Sequence, residues 1–126
     1  MNTVIHKELS DRLIGLAYTV HYTLGPGLLE SAYEEAVCWE LNHAQIPFER
    51  QKVFPLCYKG DYISAYFADV VVDGKILLEL KAVKEFTDTM TAQIINYLKL
   101  SKIPVGYLVN FHNAKLGWKR FVYGRE

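Results

Sequence analysis

Three side chains sit where their chemistry makes them costly. Asp69 interrupts the apolar run Phe67-Ala68-Asp69-Val70-Val71-Val72, and ten residues later Glu79 and Lys81 alternate with Leu78, Leu80 and Ala82. An ionised carboxylate among apolar neighbours is unfavourable unless a cation or hydrogen-bond donors satisfy it. On an extended chain Glu79 and Lys81 project from one face, about 7 Å apart along the strand. Two carboxylates and a lysine suit phosphodiester hydrolysis. The carboxylates offer hard oxygen ligands to Mg²⁺ or Mn²⁺, and a cation so held polarises a phosphate and lowers the pKa of a bound water. The lysine orients that water or offsets charge developing on the phosphate. Taken alone, Glu79 and Lys81 also describe the wet side of an ordinary amphipathic strand. Asp69, across a hairpin from them, favours the catalytic reading.

A second group lies further along. Gln93 and Tyr97 are four residues apart, hence on one helical face, and Met90 and Leu100 share that stripe. A glutamine in a largely apolar stripe needs a polar partner. It either faces a cleft at the sheet or caps the core with its amide, and helical spacing leaves both open. Cys38 and Cys57 stand alone, and His6, His21, His43 and His112 lack ligand spacing. The cysteines are expected as reduced thiols in or near the core, and no zinc site is expected.

The elements that must position these residues follow from periodicity. Leu9, Leu13, Leu16, Ala17, Val20 and Leu24 recur at helical spacing over most of residues 4–24, and Gly25-Pro26-Gly27 ends that helix. A second helix is expected from about Leu28 to Ala44, burying Leu29, Ala32, Tyr33, Ala36, Val37 and Leu41. Strands are expected at Phe48–Tyr58, Tyr62–Val72 and Lys75–Val83, joined by turns at Lys59-Gly60-Asp61 and Asp73-Gly74. Thr87 or Asp88 caps a third helix that carries Met90, Ile94, Ile95 and Leu98 to about Leu100. Strands at Ile103–Phe111 and Trp118–Tyr123 complete the order α-α-β-β-β-α-β-β. That order implies an α/β fold with a mixed sheet and helices packed on its faces.

Composition bounds the rest. At 126 residues, 51% apolar and 22% charged, the chain fits one domain over residues 1–126 with a core of its own. No segment reaches the roughly 18 apolar residues that span a bilayer, so a soluble, cytoplasmic protein is expected. Net charge is zero, which argues against strong non-specific binding to nucleic acid through bulk charge. Residues 1–50 hold three Lys/Arg against seven Asp/Glu, whereas residues 51–126 hold eleven against seven. A locally basic face on the second half is compatible with that asymmetry.

Asp69, Glu79-Leu80-Lys81 and Gln93-Ile94-Ile95-Asn96-Tyr97 together resemble the PD-(D/E)XK nuclease signature followed by the QxxxY motif of its RecB-like branch. Gly27-Leu28-Leu29-Glu30-Ser31-Ala32-Tyr33 is similar to the GxxExxY pattern that names one family of that superfamily. Glu49-Arg50-Gln51, Tyr58-Lys59-Gly60 and Asn110-Phe111 extend the resemblance over nearly the whole chain. Phe67-Ala68 precedes Asp69 where the superfamily name has a proline, a departure that is common within it. The resemblance implies a restriction-endonuclease-like fold and a site in which Asp69, Glu79 and the Leu80 carbonyl hold Mg²⁺ or Mn²⁺. It makes Lys81 the catalytic lysine, brings Glu30 to the metal directly or through water, and gives Gln93 and Tyr97 a role on backbone phosphate or in bracing the site. Tyr33, one turn from Glu30, is either a substrate contact or core packing. Glu30 also has a simple account in the helix dipole, which favours a carboxylate in a first turn.

The function expected is metal-dependent cleavage of nucleic acid, DNA in the first instance. The alternatives are a non-catalytic module that binds nucleic acid or protein, and hydrolysis of another phosphate ester. A chain this short covers little of a duplex, which leaves room for a homodimer or a larger protein partner. One geometric condition is strict. A two-residue Asp73-Gly74 loop pairs Val72 with Lys75 and puts Glu79 on the face opposite Asp69. A shared site requires an odd-length loop or a bulge. The expected form is Val72-Asp73-Gly74 with Gly74 left-handed, pairing Val71 with Lys75 and Asp69 with Leu77, so that Glu79 is the diagonal neighbour.

Overall fold

The computed structural model describes residues 4–124. Along the chain run α1 (Lys7–Leu24), α2 (Glu30–His43), β1 (Phe48–Tyr58), β2 (Asp61–Val72), β3 (Ile76–Lys81), α3 (Asp88–Ser101), β4 (Val105–Asn110) and β5 (Gly117–Val122). The strands form one sheet in the order β1-β2-β3-β4-β5. Only β3 and β4 pair in parallel; the other pairs are antiparallel. A parallel pair cannot be closed by a tight turn, and α3 is the crossover that joins it.

Helices cover both faces. Leu13 and Val20 of α1 and Tyr33 and Leu41 of α2 pack over Val70, Val72, Leu78, Leu80 and Val109. On the other face Ile94 and Leu98 of α3 pack over Val71, Leu77 and Leu108. Strands β3 and β4 are therefore buried on both sides, and their sequences, ILLELK and VGYLVN, are nearly continuous apolar runs. Gly106 lets α3 seat closely on β4, since a Cβ there would stand 3.0 Å from Leu98 and 3.1 Å from Ile94. At the start of α3 the Thr87 hydroxyl accepts a hydrogen bond from the Met90 amide, the capping expected of its position.

Several expected core positions lie outside. Leu29 precedes the first turn of α2 in an extended conformation and is 79% exposed. Leu24 and Ile95 are also exposed, on faces of α1 and α3 that no element covers. Of the two cysteines, Cys38 is buried and Cys57 exposed. No helix among the described residues is long and apolar enough to cross a membrane.

The hairpin between β2 and β3 differs in register from the expectation. Asp73 and Gly74 are both left-handed, at φ 52° and 64°, and Lys75 N donates to Val72 O, as in a type I′ turn. The ladder, however, resumes one residue later, with Val72 opposite Ile76, Val71 opposite Leu77 and Val70 opposite Leu78. Three residues, Asp73, Gly74 and Lys75, thus lie in the loop. Its length is odd as required, but the same spacing carries Asp69 to the level of Glu79 instead of Leu77.

Beyond Val70 the two strands part. Residues 61–69 of β2 pair only with β1, so the two strands continue as an arm away from the sheet. Phe54, Tyr66 and Tyr97 brace this arm against α3 in a three-ring stack with centroid separations of 5.2 and 4.3 Å. The Tyr66 hydroxyl donates to Tyr97 O.

Candidate functional site

Where β2 and β3 part, side chains replace the ladder. The Asp69 amide donates to Glu79 Oε2 at 2.9 Å, and the Leu80 amide donates to Asp69 Oδ2 at 2.8 Å. Each carboxylate thus occupies the place of a backbone acceptor on the opposite strand, and the two converge in the gap. The alternation of β2 also breaks here: Ala68 and Val71 both pack toward α3, whereas Val70 packs toward α1 and α2. On the other side of β2, the ladder with β1 runs from Arg50–Val70 to Lys52–Ala68 and skips Gln51. Gln51 is left-handed at φ 47°, a conformation a residue with a Cβ adopts only under constraint. Its amide reaches Glu34 Oε1 at 2.9 Å and Asp69 Oδ1 at 3.4 Å.

Burial dominates the electrostatics. Glu79 is 6% exposed, and its carboxyl is pushed up to about 8, first by burial and then by the charge of Asp69. Asp69 is raised as well, again chiefly by burial, against the lowering effect of the Leu80 amide and Lys81. Lys81 follows Glu79 on β3, and among the described residues no carboxylate lies within 4 Å of its ammonium. Asn110, buried on β4, fixes the chain just past Lys81: its amide donates to Val83 O at 2.7 Å and accepts from Val83 N at 3.0 Å.

The segment Gly27–Tyr33 joins α1 to this site. Gly27 has φ 106°, a backbone that favours glycine. Tyr33 is fully buried against Phe111, rings stacked at 4.4 Å. Its hydroxyl donates to Gly25 O and accepts from Leu28 N, which pins the loop before α2. Tyr33 is therefore core packing, with no exposed surface for the expected substrate contact. Glu30 Oε2 accepts from the Ala82 amide at 3.1 Å. Glu30 thus reaches the end of β3, but among the described residues no three of His, Cys, Asp and Glu converge closely enough to share a cation.

Gln93 resolves toward the cleft. It is exposed, has no hydrogen-bond partner among the described residues, and lines a cavity together with Tyr97. Burial raises the Tyr97 phenol, and the charges of Glu79 and Asp69 raise it further.

Residues 7–121 match the family model of the PD-(D/E)XK nuclease superfamily. The chain belongs to this superfamily. Among solved structures, the crystal structure of SSO0001 is similar to it in fold, with a TM-score of 0.56 at 15% identity over 76% of this chain. The present chain spans only half of SSO0001. No curated protein matches it.

PD-(D/E)XK nucleases generally use divalent metals, and the donor set here fits one. The buried Glu79 and half-buried Asp69 carboxyls, both raised in pKa, are like charges that a cation would relieve. Glu79 Oε1 has no hydrogen-bond donor among the described residues, and Asp69 Oδ1 has only the long contact from Gln51. Two PD-(D/E)XK site neighbours, Glu34 and Gln51, escape a reading based on apolar interruptions. Glu34 was within reach, being one helical turn from Glu30 on the same face. Gln51 is met in the sequence only as part of the Glu49-Arg50-Gln51 resemblance, since its left-handed backbone leaves no mark in residue type.

Proposed function

We propose that this chain is a metal-dependent nuclease that hydrolyses phosphodiester bonds, with DNA as its substrate. The observation that carries this reading is the interlocked Asp69–Glu79 pair, raised in pKa and adjoined on the same strand by a lysine without a carboxylate partner among the described residues. Asp69 and Glu79, with the Leu80 carbonyl, are the residues that would hold Mg²⁺ or Mn²⁺. When bound, the ion neutralises charge on the phosphate and supplies a water of lowered pKa. Lys81, fixed through its strand and through Asn110, places a positive charge where the phosphate gains negative charge. Glu30 acts from the end of β3 through water. Gln93 and Tyr97 engage the strand beside the cut. Gly27, Glu30 and Tyr33 support assignment to the GxxExxY group, because all three serve one junction between α1, α2 and β3.

A second reading, a non-catalytic module that binds nucleic acid or protein, draws on the same pair. Asp69 and Glu79 each satisfy a backbone amide and so have a structural use apart from any cation. Incubating plasmid and single-stranded DNA with the purified chain in Mg²⁺, Mn²⁺ or EDTA separates the two. Cleavage that needs metal and disappears in Asp69→Ala is the expected result. Retained binding of DNA without cleavage in either metal would establish the binding module.

A further inference from the structure

Between the β1–β2 arm and α3 lies a cavity of about 410 Å³, within the roughly 300–1,000 Å³ of small-ligand sites. Its walls are of two kinds. Leu56, Tyr66, Tyr97 and Leu100 supply apolar and aromatic surface, whereas Gln93 and Asn96 supply side-chain amides. Both amides lie on exposed positions of α3 and have no hydrogen-bond partner among the described residues. Lys99 stands at the rim, without an ion pair among those residues.

This combination matches one kind of group. A nucleobase has two apolar faces that favour aromatic and aliphatic surface, and an edge of donors and acceptors that a carboxamide can pair in either sense. We propose that the cavity takes one unpaired base of a single-stranded nucleic acid whose backbone passes the Asp69–Glu79 pair. The inference rests on the proposed nuclease reading and adds the form of the substrate. Two observations and one general constraint support it. The cavity lies on the sheet face that carries Glu79: Tyr97, in its wall, packs against the cluster of Ala68 and Leu77, and Glu79 follows Leu77 on that face. The Phe54–Tyr66–Tyr97 stack fixes the wall, so little ordering is needed on binding. A base within a duplex is stacked and paired, and reaches such a cavity only by leaving the helix. Lys99 supplies positive charge beside the entrance for the adjoining phosphate.

The test uses the full chain in EDTA, with fluorescence anisotropy of three dye-labelled probes: a short oligothymidylate, the same backbone made entirely of abasic residues, and a duplex of equal length. The strand with bases is expected to bind at least about fivefold more tightly than its abasic counterpart, the lower end of what base–aromatic stacking gives. It should also bind more tightly than the duplex. Asn96→Trp, which fills the cavity, and Leu100→Glu, which charges its wall, should each erase the preference. Both positions are exposed, so the fold should survive either change. Equal binding of the strand with bases and the abasic strand overturns the proposal, as does a preference that persists in both variants. Mn²⁺-dependent cleavage of the same probes is read in parallel. Cleavage without preference for bases removes the cavity and keeps the nuclease. Preference for bases without cleavage does the reverse.

Discussion

Asp69 and Glu79 share a gap too dry for two full negative charges, and this fixes how the protein should respond to pH. Glu79 titrates near 8 in the folded chain, against an ordinary value near 4.5 when unfolded. The folded state therefore holds a proton that the unfolded chain has released between those values. By linkage, stability conferred by the neutral carboxyl is present at low pH and declines as pH rises from about 4.5 through 8. Without divalent metal the melting temperature should fall between pH 5.5 and pH 8.5, and Glu79→Gln should flatten that dependence. Thermal melts of both proteins across the range check it. With metal the sign reverses, because a cation competes with the proton. Mn²⁺ affinity measured by calorimetry should rise by up to about tenfold per pH unit below 8, as for one displaced proton. Asp69→Ala should abolish most of that binding. Lys81 belongs at the same scale but has another role. Lys81→Met keeps the stem that packs on β3 and removes only the charge, so cleavage should fall by about two to four orders of magnitude with Mn²⁺ affinity and melting temperature nearly unchanged. Loss of folding in that variant would show Lys81 to be structural.

At the scale of elements, the site depends on a turn that is a simple hairpin with one residue too many. Asp73-Gly74 forms the left-handed turn that its sequence calls for, yet Lys75 is skipped before the ladder resumes at Ile76. The reason lies in burial. Ile76 and Leu78 belong to the core under α1 and α2, as do Val70 and Val72, and pairing Val72 with Lys75 would turn Leu77 and Glu79 into that core instead. Burial, not the loop, sets the register. Deleting Lys75 should therefore leave Val72 opposite Ile76 on a two-residue turn, with stability changed by only about 1 kcal/mol, since the exposed Asp73–Lys75 pair is all that is lost. Mn²⁺ binding should survive; its loss would mean that the loop itself sets the register. This hairpin also marks the limit of what was legible. The element order, the mixed sheet, the cap at Thr87 and the convergence of Asp69 with Glu79 follow from apolar periodicity and the demands of one shared face. The placement of Glu79 directly opposite Asp69 does not: the expected loop took Val72 as its extra residue and put Glu79 on the diagonal, whereas the extra residue is Lys75. Leu29 was expected to be buried for a related reason: spacing identifies an apolar position but not whether another element reaches it. Gln51 and Asn110 act through one left-handed backbone and one pair of bonds to Val83, which residue type alone does not announce.

Across the whole molecule, order is unevenly distributed. Strands β3 and β4 lie between helices and are buried on both faces, whereas the β1–β2 arm leaves the sheet beyond Val70. In the arm Val53, Tyr58, Tyr62, Ile63 and Phe67 are more than half exposed, and the strand ladder of residues 61–68 runs to β1 alone. Two-stranded ribbons have little stability of their own, so the arm depends on its contact with α3. Tyr66 stacks on the Tyr97 ring and donates to the Tyr97 carbonyl, and these contacts are the main tether. Local opening should follow this anatomy, with the least protection where few buried contacts hold the backbone. Amide hydrogen exchange read by mass spectrometry should show residues 54–66 exchanging fastest among the strands, and residues 76–81 and 105–110 slowest. Tyr97→Ala should accelerate exchange in the arm by about tenfold, the effect of losing a stacked ring pair worth roughly 1 kcal/mol or slightly more, and should leave β3 and β4 as they were. Acceleration spread evenly over the sheet would mean that arm and core open as one unit. A single strand seated in the proposed cavity between the arm and α3 should slow exchange in residues 54–66 first.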